Sequence, residues 1–163
     1  ALGLAEFVGG IVGDNASASI FIPAILFVVA IFLSFSTGTS WGTFAILVPI
    51  ATALFAGADN LTMMTISVSA VLAGAVCGDH CSPISDTTIM ASAGAQCNHV
   101  NHVSTQLPYA MTVAAVSCIT YVIAGILQNA VICLVIGIAL QIGVLLAIKA
   151  ITKDHTGRVK TTN

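Results

Sequence analysis

Gly78-Asp79-His80-Cys81-Ser82-Pro83-Ile84-Ser85-Asp86-Thr87-Thr88 stands between apolar stretches long enough to cross a bilayer. It holds two carboxylates, an imidazole and four hydroxyls. One ionised Asp at the centre of a membrane helix costs about 2.5 to 3.5 kcal/mol on insertion scales, so such a group marks a functional site, most often an ion path or proton relay. Pro83 prevents the preceding helix from simply running on through the cluster. The stretch therefore reads as a helix break as well as a concentration of polar chemistry.

Composition sets the surroundings. The 163 residues are 58% hydrophobic and 6% charged, against about 25% charged in a soluble domain. This excludes a soluble enzyme or a nucleic-acid binder and points to an integral membrane protein whose partner is the lipid bilayer. All four basic residues, Lys149, Lys153, Arg158 and Lys160, fall in the last fifteen positions, which places the C-terminus in the cytoplasm. The five cysteines (Cys77, Cys81, Cys97, Cys118, Cys133) lie on or near apolar segments; small buried thiols are expected there and no disulfide. The chain starts at Ala1 without a basic region and apolar core that would make a signal peptide. A C-terminal part of a longer chain is expected.

Outward from the central cluster, residues 61–77 form an apolar run rich in small residues, which lets helices approach closely in lipid. Residues 17–35, with Pro23 inside, are long enough to span a hydrocarbon core of about 30 Å. Ser36-Thr37-Gly38-Thr39-Ser40, with Trp41 and Gly42, then interrupt the apolar pattern over residues 36–42. Residues 42–57 are slightly short for a span and end in the turn signal Gly57-Ala58-Asp59-Asn60. Beyond the cluster come a short half-helix over 87–95, a polar loop over 96–105 carrying His99 and His102, and two spans over 106–127 and 130–151. These are joined by Gln128-Asn129 and so are antiparallel. Residues 1–16, with Glu6, Asp14 and Asn15, are too interrupted for a full span. The expected architecture is an all-α polytopic membrane protein with about five transmembrane or re-entrant helices, two of them discontinuous. Residues 1–151 form a membrane transport domain, and residues 152–163 a basic cytoplasmic tail.

The interruptions at 36–42 and 78–88 form a pair. Non-helical backbone at membrane depth is tolerated only where it is buried in protein or lines a cavity, and secondary transporters build cation sites from such breaks. The candidate ion-binding and proton-coupling residues are Asp79, Asp86, His80, Ser82, Ser85, Thr87, Ser36, Thr37, Thr39 and Ser40, with Asp79 and Asp86 as the Na⁺ ligands. An all-oxygen set suits a hard cation. A carboxylate that holds Na⁺ when ionised releases it when protonated, so the two cations exclude each other. His80, beside Asp79, suits a proton relay. Plainer readings stand beside these. Either Asp can cap a helix N-terminus, His80 can hydrogen-bond a neighbour, and Ser36 to Ser40 can be packing residues. Asp14 and Asn15 belong to the site or to a turn, and the two loop histidines are not expected to be ligands. Cys77, His80, Cys81, Cys97 and His99 match no zinc spacing.

Phe35-Ser36-Thr37-Gly38-Thr39-Ser40-Trp41-Gly42-Thr43-Phe44, then Leu47-Val48-Pro49-Ile50, Gly78 through Thr88, and His102-Val103-Ser104-Thr105-Gln106-Leu107-Pro108-Tyr109-Ala110 together resemble the NhaC-type sodium/proton antiporter family. The resemblance covers residues 35 to 110, in the family's order and spacing. It implies a multi-pass bacterial inner-membrane exchanger of the ion transporter superfamily. Such an exchanger would be about twice this length and built from two inverted repeats, of which this chain is the second half. Na⁺ and H⁺ are then the transported ions, with no cofactor besides them. The N-terminal half of the same protein is a partner, and a homodimer is compatible with the family. Some relatives exchange organic acids, malate for lactate, coupled to Na⁺ and H⁺; the lack of Lys or Arg in the membrane body disfavours that alternative. A membrane-embedded hydrolase using Asp79 and Asp86 would need both within reach of one shared proton.

Overall fold

The computed structural model describes residues 19–55 and 60–159, with side chains to residue 152. Glu6, Asp14, Asn15, the Gly57-Ala58-Asp59 turn signal, Lys160 and the side chains of Lys153 and Arg158 lie outside the described residues. Among the described residues six helices follow one another: α1 (Ile22–Thr37), α2 (Ser40–Leu54), α3 (Leu61–Cys81), α4 (Asp86–Gly94), α5 (His99–Leu127) and α6 (Ala130–Val159). The described residues are all-helical, as the sequence implies, and α3, α5 and residues Ala130–Thr152 of α6 are long and apolar enough to cross a membrane.

Both breaks are tighter than the polar runs suggest. Ser36 and Thr37 stay in α1 because their hydroxyls donate back to the carbonyls of Phe32 (2.8 Å) and Leu33 (2.9 Å), a bond that satisfies the side chain without ending the helix. The helix stops at Gly38, whose φ of +68° forms a left-handed cap with its N–H on the Ser34 carbonyl at 2.8 Å. Only Gly38 and Thr39 separate α1 from α2. Likewise α3 runs through Asp79 and His80 to Cys81, and the second break contracts to residues 82–85, a turn closed by Ser85 N–H on the Ser82 carbonyl at 3.3 Å with Pro83 in its second position.

Two other boundaries differ from expectation. The first span, expected over 17–35, has its helix over Ile22–Thr37, with Pro23 in the first turn where its missing N–H costs nothing. At 16 residues it is about 24 Å long, short of a full crossing. The polar run expected to be a loop over 96–105 is mostly helix: the Asn98 side chain accepts the Asn101 N–H at 3.1 Å and starts α5 at His99. The backbone of α6 likewise remains helical through Val159 into the basic tail.

The helices α1 and α3 lie parallel and very close. A Cβ at Gly74 would fall on the Phe27 carbonyl oxygen and one at Gly78 on that of Ile31, one turn further along both helices. Ser34 Oγ donates to the Ala75 carbonyl at 2.6 Å across the same seam. Small residues of this kind give helices close backbone approach in lipid. Antiparallel α2 closes the core, where Leu26, Ala30, Leu47, Ala51, Met63 and Val71 meet. On the other side antiparallel α5 stacks Tyr121 on Phe27, ring centroids 5.2 Å apart, and α6 packs on α5. Large apolar side chains such as Leu134, Val135, Ile142 and Leu146 on α6 face outward, as lipid-facing surface requires.

The parallel seam predicts that Gly78→Val destabilises the protein by about 1 to 3 kcal/mol, because a backbone carbonyl cannot rotate away from the added methyls. Thermal unfolding in detergent should show a lower midpoint for Gly78→Val. Gly143→Ala, in a helix where a Cβ meets nothing within 4 Å, should match or exceed the wild type.

Candidate functional site

The last turn of α3 carries Asp79 to the place where the two breaks meet. Its side chain is only 8% exposed. Oδ2 accepts the backbone N–H of Ser40 (3.1 Å) and the Ser40 hydroxyl (2.8 Å), and Oδ1 accepts the Ser85 hydroxyl at 2.5 Å. Ser40 is the first residue of α2, and Ser85 is the N-cap of α4, accepting the Thr87 N–H at 3.2 Å. Two helix N-termini, each with a partial positive charge, therefore converge on one carboxylate. Every donor to it is neutral. No Lys or Arg precedes Lys149 in the chain.

A hydroxyl chain leads outward from this carboxylate. Ser85 Oγ lies 2.7 Å from Thr87 Oγ1; with the Ser85 proton on Asp79, the Thr87 hydroxyl donates to Ser85. Thr87 is exposed, so two consecutive hydroxyls connect the surface to the buried acid. Ser82 is buried and anchors the second break to the end of the first helix by donating to the Phe35 carbonyl at 2.7 Å.

Of the candidate residues, the structure gathers Asp79, Ser40, Ser82, Ser85 and Thr87 at the two breaks. Ser36 and Thr37 bond to their own helix and are exposed. Thr39 contributes its carbonyl, which accepts the Thr43 hydroxyl at 3.1 Å. Asp86 opens α4, is exposed, and has no hydrogen bond to Asp79. The shared proton a hydrolase would need is thus not set up between the two acids. The exposed His80 ring borders a cavity of about 820 Å³ between α1, α3 and α5, together with Gln106 and Tyr109. Among the described residues no three His, Cys, Asp or Glu side chains converge as a metal site, and all five cysteines are free.

Several participants were not singled out in advance. Thr88 Oγ1 and Gln106 Nε2 both donate to the His80 carbonyl, at 3.1 and 2.8 Å, holding the end of α3 to α4 and α5. His99, expected to be a plain loop residue, bonds through both ring nitrogens. Isolated polar residues inside helical segments carry no spacing signal; only the Asn98 cap, read with the run after it, could have placed His99 at a helix start.

Broken apolar helices whose ends meet at a buried carboxylate define an integral membrane protein with the architecture of secondary transporters. The chain belongs to the Na⁺/H⁺ antiporter family, whose sequence profile matches residues 1–126. It is 53% identical over 120 residues to an uncharacterized protein of Haemophilus influenzae, covering 74% of this chain and 23% of that protein. It is 32% identical over 112 residues to the malate-2H(+)/Na(+)-lactate antiporter of Bacillus subtilis (68% and 23%). With an uncharacterized Na(+)/H(+) antiporter of H. influenzae it shares 35% identity over 108 residues (64% and 23%). The matched segment thus spans about a quarter of the length of these relatives. That places them at roughly three times the length of this chain, longer than the twofold expected. No solved structure matches the chain.

Ser85→Ala removes both a donor to Asp79 and the α4 cap. It should cost about 1 to 3 kcal/mol. Ser36→Ala, which removes only a bond within α1, should change stability by less than about 0.5 kcal/mol. Thermal unfolding of the two purified variants side by side checks the ranking.

Proposed function

We propose that the protein of which this sequence is part exchanges Na⁺ for H⁺ across a bacterial inner membrane, with Asp79 as the group the two cations share. The observation that carries this reading is the buried Asp79 carboxylate, held among the described residues only by neutral donors. A charge so placed lacks a fixed counter-ion in this chain, and either a proton or a small metal ion supplies one.

With Asp79 ionised, Na⁺ enters against its oxygens, and the Ser40, Ser85 and Thr87 hydroxyls turn their lone pairs toward the ion. All of these are hard oxygen donors. With Asp79 protonated, its negative charge is gone and the cation is no longer held. The Thr87–Ser85 hydroxyl chain is the short path from the surface to the acid. Asp86, at the exposed start of α4, draws cations to its mouth, and His80 passes protons on the α3 side. The ions are cargo, and the exchange needs no resident cofactor. A cytoplasmic C-terminus, from the basic residues after position 148, sets the Asp79 end of α3 toward the cytoplasm, because α3 runs parallel to α6.

A second reading, an organic-acid exchanger, has one observation in its favour: the cavity of about 820 Å³ beside His80, Gln106 and Tyr109. It is roomy enough to admit a small carboxylic acid. Inward movement of labelled malate driven by lactate would select it.

In inverted vesicles carrying the full-length protein and a pH-sensitive dye, Na⁺ addition should move protons. Asp79→Asn should abolish the response and Asp86→Asn should only weaken it. Protons compete with Na⁺ for an ionised carboxylate, so lowering the pH raises the half-saturating Na⁺ concentration, by up to about tenfold per pH unit for one-proton competition. Normal exchange by Asp79→Asn removes the assignment.

A further inference from the structure

The turn at residues 82–85 brings Ser82 and Ser85 to their partners, and its own carbonyls must be satisfied for it to hold one shape. Ser82 O takes the Ser85 N–H at 3.3 Å. The Pro83 carbonyl takes Nε2 of His99 at 2.7 Å, from the first residue of α5. A carbonyl only accepts, so Nε2 carries the proton in this bond. Nδ1 of the same ring lies 3.0 Å from Ser92 Oγ on α4. Ser92 is buried, at 3% exposure. One imidazole thus joins three pieces: the apex of the turn, the body of α4 and the start of α5.

We infer that His99 is a positioning residue for the Asp79 site. By holding the Pro83 carbonyl and Ser92 at once, it fixes the angle between the turn and α4, and so the place of the Ser85 hydroxyl that lies between them. The inference rests on the reading of Asp79 as the exchanged site. His99 touches neither Asp79 nor any of its donors through a hydrogen bond; it acts through the turn. Nε2 donates to Pro83, while the Ser92 hydroxyl, whose one proton also reaches the Ile89 carbonyl at 2.9 Å, faces Nδ1. Loss of this clamp shifts cation affinity rather than the maximal rate.

Glutamine reproduces the Pro83 end, its amide N–H₂ donating to that carbonyl, and places its other amide atom toward Ser92. Leucine reproduces neither. Asparagine is polar, but its amide is too short to reach Pro83 in place of Nε2. In the vesicle assay with full-length protein, His99→Leu and His99→Asn should each raise the half-saturating Na⁺ concentration about tenfold. The maximal exchange rate per transporter should stay within about twofold. His99→Gln should stay within about threefold of wild type throughout.

The idea is overturned if neither His99→Leu nor His99→Asn changes half-saturation, or if His99→Gln is impaired as much as they are. A fall in the amount of folded protein with half-saturation unchanged also overturns it, because that is the mark of a purely structural residue. Asp79→Asn, run beside them, separates the two assignments. Exchange lost in Asp79→Asn with unchanged half-saturation in the His99 variants removes only the role of His99. Exchange retained in Asp79→Asn removes both.

Discussion

An ionisable carboxylate kept from water, in a chain with no Lys or Arg before position 149, has to be stabilised by neutral dipoles. That constraint organises the rest of the structure. Asp79 is surrounded by hydroxyls and backbone N–H groups. Free N–H groups at membrane depth exist only where a helix begins. A helix can begin there only if another has just ended. The two breaks are therefore the means by which this carboxylate is solvated by protein.

The sharpness of the breaks follows from the same requirement. Extra loop residues would bring backbone groups of their own needing partners. At the first break Gly38 reverses the chain in a left-handed conformation with Ile84 packed directly over it, and α2 starts two residues later. At the second, Pro83 ends α3 and the turn hands over to α4 within four residues. The turn's Ser82 hydroxyl and the Phe35 carbonyl then tie the two breaks together. The parallel run of α1 against α3, made close by Gly74 and Gly78, brings both helix ends to the same level. Widening that seam would separate Asp79 from Ser40 without touching either residue.

Much of this was legible in the residues. Length and hydropathy were enough to locate the long helices, and the Gln128-Asn129 connection and the paired interruptions stood out as polar residues in apolar surroundings. The extent of the interruptions was misread because Ser and Thr are ambiguous inside membrane helices. Ser36 and Thr37 look like a break but turn their hydroxyls back on their own helix. Asp79 looks like part of a break but sits in the last turn of α3. His99 was overlooked for the opposite reason, since a polar run at a helix start resembles a loop until its cap is recognised. Asp79 and Asp86 look equivalent in sequence. Their difference, one buried and one exposed, arises from contacts 39 residues away at Ser40 that no local pattern contains.

One plain alternative is that Asp79 is merely a helix cap. The structure shows that it does cap α2, because Ser40 N–H ends on its carboxylate while Thr39, the residue in the cap position, makes no side-chain cap bond. Elsewhere the chain performs this task with neutral local residues: Asn60 for α3, Ser85 for α4, Asn98 for α5 and Asn129 for α6. A neutral neighbour supplies about 1 kcal/mol of capping. A carboxylate brought in from another helix supplies the same contact and adds a desolvation penalty of several kcal/mol when ionised. Capping alone is thus better served by the residue types used at those four helices. What a carboxylate offers beyond any of them is a charge that a proton or a metal ion can neutralise in turn, and on the proposed reading the cap holds that charge ready between the two.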